Sequence, residues 1–351
     1  MNIGVVLPEF ERITGQFSNH FEDLGFKAHP PAGITSGIDP SVRLIGAPIS
    51  VLKPYLEQHE LLEEGRYIAQ NCIRTHNLKS LFELDEPQEY GSFFTGLGAL
   101  ASAEQVGLLF QATSDLLRDR LGVRNDEAFI SVSSEDEDLL KAAENNGCYA
   151  VRPDFMDPPY YRHVYGIDGV AGRNTSYWVV NRATGEYEDI GNVIAIEGLG
   201  IQYGIEFAFG DTTLVKQLSG LSHVTDAYNL QLVEQGVPNN VRIRFEDCVI
   251  TSMALFAEGL KPSAHNNQTR ILRTYMKGIS LFRRLLDIDA TTLEDKLEFY
   301  EEGYLPFTAT GAGKFIVSWT VEYENDTAEN GASNKEDTAV LSVLETWGKE
   351  S

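Results

Sequence analysis

The first strong pattern along the chain is helical. Phe10, Ile13, Phe17, Phe21 and Leu24 recur every three or four residues, the spacing that puts apolar side chains on one face of a helix, and Gly25 supplies a stop. The Pro- and Gly-rich stretch AHPPAGITSGIDP reads as a loop. VRLIGAPISVLKPYL and RYIAQNCIR read as short extended segments, SLFELDEPQEYG as a loop, and SFFTGLGAL as an apolar strand. Val106, Leu109, Phe110, Thr113, Leu116, Leu117 and Leu121 return to helical spacing. EAFISVS reads as a strand, and EDEDLLKAAENNG as a helix whose acidic first turn suits the positive end of the helix dipole.

In the middle of the chain TSYWVVN, NVIAIEGL and IQYGIEFAF alternate with glycine-containing turns. Long strands without intervening helices predict an antiparallel sheet. From about Asp211 to about Tyr304 the pattern is mostly helical; KFIVSWTV then predicts a late strand, and ENDTAENGASNKED an acidic, mobile loop. A composition shift near residue 240 separates a β-rich part, 1–240, from a helical part, 241–351. The expected class is α+β, an antiparallel sheet flanked by helices and followed by a smaller helical domain.

Charge sharpens this picture. The chain carries 28 Lys+Arg against 52 Asp+Glu, a net charge of −24. Nucleic-acid affinity comes from phosphate neutralisation, so a field of this sign opposes a generic RNA binder. One segment runs against it. In KPSAHNNQTRILRTYMKGISLFRRLLDI, Arg270, Arg273, Lys277 and Arg284 fall within about 60° of one another on a helix. Such a stripe is either a solvated face or a local surface for a polyanion.

No stretch approaches the roughly 18 apolar residues of a membrane span. The start, MNIGVVLPEFERITG, lacks a basic region and meets Pro8 and Glu9 early, so no secretory signal is expected and the expected compartment is the cytoplasm. The 3 cysteines, Cys72, Cys148 and Cys248, are too far apart to suggest a disulfide framework or a zinc knuckle. The 7 histidines do not cluster, and no metal site is expected. There is no P-loop, GxSxG, HExxH or CxxC, and GLGIQYG lacks the strand–turn–helix context of a dinucleotide fingerprint.

The order of several segments resembles the N-terminal part of the alanyl-tRNA synthetases, which are class II enzymes. The helix around Phe10 to Leu24 is similar to that family's motif 1 helix, LKPYL (Leu52–Leu56) to its FKPYF element, and QNCIR, ending in Arg74, to the first strand of motif 2. FFTGLGAL (Phe93–Leu100) is similar to the return strand, GIDGVAGRNTSYW (Gly166–Trp178) to the GDTGPCGPCTEIFY loop, and EDIGN to EIWN. IEFAFG (Ile205–Gly210) is similar to VDTGMG of motif 3, and FEDCVITSMALFAEGLKPS to the start of the tRNA-recognition domain. The resemblance spans roughly 10–300, without the editing and C-terminal domains or the editing metal ligands.

Carried over residue by residue, the resemblance implies that Arg74 holds the substrate carboxylate and α-phosphate, and that Glu206 receives the ammonium beside Asn192. His163 stands where the family has a pocket tryptophan. Gly96 replaces a methionine, which implies an enlarged pocket. Phe93 and Phe94 stand where adenine stacks. On the phosphate side the motif 3 arginine is Thr213 and a basic motif 2 position is Glu89, while Thr95 and Ser176 replace glutamates that serve Mg²⁺. Arg173 is the candidate replacement for the lost positive charge. The structural alternative for Arg74 and Glu206 is an ion pair closing a sheet.

The function so implied is ATP- and Mg²⁺-dependent activation of a small amino acid as its adenylate. Transfer to a small molecule, a carrier protein or tRNA would follow, outside ordinary translation. Two alternatives stand beside it: a non-catalytic amino-acid-binding or regulatory paralogue, and a tRNA-binding module using Arg270, Arg273, Lys277 and Arg284. Class II relatives commonly pair through motif 1, so a homodimer is compatible with this reading.

Overall fold

The computed structural model describes residues 7–58, 64–86, 88–154, 158–198, 200–233, 237–301 and 311–350. The chain forms two compact units, one from Pro8–Cys72 and Phe94–Ser222, the other from Met1–Leu7, Ile73–Phe93 and His223–Ser351. The composition shift near 240 thus lies inside the second unit, which also takes in a segment from the first third of the chain.

The first unit is built on a nine-stranded, mostly antiparallel sheet, and the class is α+β. Its helices are α1 (Leu7–Asp23), α2 (Ile49–Glu57), α3 (Val106–Asp115), α4 (Glu137–Asn146) and α5 (Asp211–Ser219). Its strands are β1 (Lys27–Ala28), β2 (Arg66–Ile73), β3 (Phe93–Ala101), β4 (Ala128–Ser133), β5 (Ala150–Asp154), β6 (Arg162–Val164), β7 (Val170–Val180), β8 (Tyr187–Gly198) and β9 (Ile201–Gly210). They lie in the order β1-β2-β3-β9-β8-β7-β4-β5, with β6 against β7. The pairs joining β3, β9, β8, β7 and β4 are antiparallel, as the uninterrupted strand pattern predicts.

Alternation along β9 sends successive side chains to opposite faces. Phe207 meets the apolar stripe of α1, stacking on Phe17 with centroids 5.7 Å apart. Glu206 points to the other face, where α2 buries Val51, Leu52 and Leu56 in a cluster with Ile68, Phe94, Leu100, Tyr165, Ile194 and Ile196. The expectation that ISVLKPYL is extended is corrected here. Pro54 reads as a breaker, yet it sits inside α2. Burial of Val51, Leu52 and Leu56 along one helical face outweighs its missing N–H donor.

The second unit is helical: α6 (Asn239–Ala257), α7 (Asn267–Leu285), α8 (Ala290–Glu301), α9 (Ala312–Asn330) and α10 (Lys335–Glu350). The late strand predicted over KFIVSWTV is helix α9. Ile316, Val317, Thr320, Tyr323 and Thr327 are buried at helical spacing, so packing overrides the β-branched composition. ENDTAENGASNKED is also no loop: α9 runs to Asn330, turns at Gly331 with φ at 75°, and α10 begins at Lys335. Asp247 of α6 anchors the segment before β3. Its buried carboxylate accepts from the Ser92 backbone N–H (2.6 Å), the Ser92 hydroxyl (2.7 Å) and Gln88 Nε2 (2.9 Å).

Candidate functional site

Cross-strand partners share a face, and the pairs Gly96↔Gly210, Leu100↔Glu206, Ile194↔Glu206, Asn192↔Ala208 and His163↔Gly172 carry that rule across the sheet. Phe94, Gly96, Asn192, Glu206 and His163 therefore converge on the α2 face of the first unit. Arg74 belongs to the second unit, just past the end of β2. It is exposed, and its backbone N–H donates to the Ser92 carbonyl at 2.9 Å.

Glu206 is the chemically distinctive member of the face. It is 3% exposed, and Tyr165 Oη donates to its Oε2 at 2.7 Å. No other hydrogen bond to this carboxylate comes from the described residues. Burial raises its pKa to about 7 against the downward pull of the Tyr165 bond. Burial, together with the charge of Glu206, in turn holds the Tyr165 phenol well above its ordinary value. Asn192 is half-buried and donates through Nδ2 to the Thr175 carbonyl (3.2 Å) and Ser176 Oγ (3.0 Å).

The expectation that Gly96 enlarges a pocket is corrected. A Cβ at Gly96 would lie 2.6 Å from Cγ and Cδ of Pro48, and one at Gly98 would lie 2.3 Å from Pro48 Cβ. The two glycines flatten β3 so that the proline ring at the start of α2 can lie on it. The space a larger side chain would fill holds protein.

Phe94 is 8% exposed within the apolar cluster, and Phe93, in the second unit, is 1% exposed beside Tyr228, whose hydroxyl donates to the Phe93 carbonyl at 3.1 Å. Neither ring presents an open face for a base. Arg173 is likewise committed. Its Nη1 and Nη2 reach the two oxygens of Asp138 at 2.7 and 2.8 Å, its Nε reaches Glu197 at 2.9 Å, and Asp136 lies 3.3 Å from Nη1. The Asp138 bonds, followed by those to Glu197, hold its pKa above the ordinary arginine value against burial. A guanidinium surrounded by three carboxylates is already neutralised and does not replace a missing triphosphate contact.

On α7 the basic stripe divides. Arg270 and Arg284 are exposed and Arg273 is half-buried. Lys277 is buried, with Nζ 2.8 Å from Asp337 Oδ1 and 2.8 Å from Asn334 Oδ1. The expectation of one continuous cationic surface is corrected, because α10 lays a carboxylate across the middle of the stripe.

Sequence reading missed Tyr165, Asp138 and Asp337, the residues that decide what Glu206, Arg173 and Lys277 can do. Each partner is distant in sequence, and nothing in local periodicity marks it. Among the described residues no group of three His, Cys, Asp or Glu side chains is placed to hold a metal ion, and no helix is long and apolar enough to cross a membrane.

The fold and this face define an α+β protein with a buried carboxylate on its central sheet that accepts one hydrogen bond among the described residues. No family model matches the chain, and no curated protein does. Among solved structures, the RNA binding domain of threonyl-tRNA synthetase from Cryptosporidium parvum Iowa II is similar over 60% of this chain, with a TM-score of 0.38 and 11% identity. The chain spans 63% of that structure's length. An overlap this loose assigns neither family nor activity.

Proposed function

We propose that this chain binds a small amino acid without activating it, as a class II synthetase-like paralogue that kept an ammonium-recognising carboxylate and lost phosphate handling. The observation that carries the reading is Glu206. A carboxylate this buried, with a phenol as its one hydrogen-bond donor among the described residues, is incompletely compensated, and an ammonium ligand would complete it. Asn192 on the same face adds a polar neighbour. Against adenylate formation stand Thr213 and Glu89 in place of basic residues, the saturated Arg173, and the buried Phe93 and Phe94.

Isothermal titration calorimetry with the twenty amino acids, with and without ATP, tests the proposal. Binding of a small amino acid that is unaffected by ATP and lost in Glu206→Gln is the expected result. A second reading, ATP-dependent activation, draws on Arg74, an exposed residue whose planar guanidinium is of the type that holds a carboxylate and phosphate. Amino-acid-dependent pyrophosphate–ATP exchange would establish it and overturn the first.

A further inference from the structure

In the second unit a groove of about 280 Å³ runs beside α9. Trp319, Glu322, Tyr323 and Asp326 line it at the spacing of one helical stripe, and Arg273 of α7 lines it with them. The Trp319 and Tyr323 rings are nearly parallel, 5° apart with centroids at 5.3 Å, giving the groove a flat aromatic wall. Tyr323 is fixed there by donating through its hydroxyl to Asp337 at 2.9 Å.

The charges in this groove do not close on one another. Arg273 makes no hydrogen bond or ion pair with the described residues, although Glu322 and Asp326 line the same space. Glu322 is equally without a partner among them, and Asp326 accepts one bond, from Asn330 Nδ2 at 2.9 Å. In a chain of net charge −24, a guanidinium and two carboxylates that share a groove without pairing present a three-point pattern. The groove is slightly smaller than the roughly 300–1,000 Å³ of drug-sized sites, and so suits a ligand the size of one amino acid.

We infer that this groove binds a free basic α-amino acid, of the lysine class. The groove's one cation and two anions are matched in sign and number by a ligand with one carboxylate and two cationic groups. The planar guanidinium of Arg273 takes the carboxylate. Glu322 and Asp326, one turn apart, take the α-ammonium and the side-chain cation, and the methylene stem lies on Trp319. Phosphate ligands are disfavoured by the two carboxylates, and a simple diamine leaves Arg273 unmatched.

The test uses the full chain, with calorimetry and tryptophan fluorescence, titrating L-lysine, norleucine (no side-chain cation) and cadaverine (no carboxylate). Lysine should bind at least about tenfold more tightly than either analogue and change the fluorescence of wild type but not of Trp319→Phe. Arg273→Ala and, separately, the exposed Glu322→Gln should each weaken it about tenfold with an unchanged circular-dichroism spectrum. Glu206→Gln, in the other unit, should leave lysine binding intact, which separates this site from the proposed one on the sheet. Absence of lysine binding up to about 10 mM, equal binding of norleucine or cadaverine, or unchanged affinity in both groove variants would overturn the inference.

Discussion

The Tyr165 hydroxyl donates to Glu206 across 2.7 Å inside the apolar cluster between α2 and the sheet. Two ionisable groups that seldom stay buried alone are thereby held together, and the consequence is a pH-dependent fold. Glu206 titrates at about 7 in the folded chain against an ordinary 4.5. Between those values the folded state holds a proton that the unfolded state has released. The stabilising contribution is therefore full below pH 4.5 and is lost as pH rises through about 7. Denaturant unfolding of wild type and Glu206→Gln should show their stability difference shifting by about 3 kcal/mol between these limits, in favour of the variant at high pH. A difference independent of pH would mean that the carboxylate titrates normally.

Removing the phenol isolates its share of that arrangement. Tyr165→Phe keeps the ring in the cluster but deprives the buried carboxylate of its donor, so stability at neutral pH should fall by about 1–3 kcal/mol. Glu206 should then titrate still higher, which a carboxyl-resolved NMR titration reads directly.

A second buried pair, Lys277 with Asp337, joins α7 to α10. Burial alone would raise the Asp337 pKa, but bonds from Lys277, Ser333 and Tyr323 bring it down to about 2. Its contribution is present above about pH 4 and is lost as pH falls toward 2. Lys277→Ala strands an unpaired carboxylate and should cost about 3–5 kcal/mol, whereas Lys277→Met combined with Asp337→Leu should recover much of that loss. Thermal unfolding of the three chains distinguishes a buried pair from a surface contact, since the latter would change little.

Two glycines give opposite expectations for the same substitution. Gly96→Ala drives a methyl group against the Pro48 ring and should destabilise by about 1–3 kcal/mol. Gly15→Ala, in the interior of α1 with no atom within 4 Å of the added carbon, should stabilise by about 0.5–1 kcal/mol. Matched urea melts of the two variants check both signs at once.

Local pattern carried far for some elements and failed for others, for identifiable reasons. The stripe Phe10, Ile13, Phe17 and Phe21 and the strands of the central sheet were legible because each buries one regular face, and a period of 3.6 or of the strand survives in composition. Helix α9 is hidden from local pattern because Ile316, Val317, Thr320 and Val321 favour a strand locally, and only packing of the helical face reverses that preference. Helix α2 is hidden in the same way because Pro54 signals a break that burial of Leu52 and Leu56 overrides.

For the candidate site, the sequence by itself determined which residue types stand where: a carboxylate at 206 in an apolar strand, an arginine at 173, a basic series along α7. The tertiary structure alone decided what those groups can do. Tyr165 reaches Glu206 from 41 residues away, Asp138 takes Arg173 from 35 residues away, and Asp337 neutralises Lys277 from another helix. The reason is physical: the cost of burying a charge, and hence its pKa and availability to a ligand, depends on the partners and dielectric surrounding it in space, and these are set when distant segments pack.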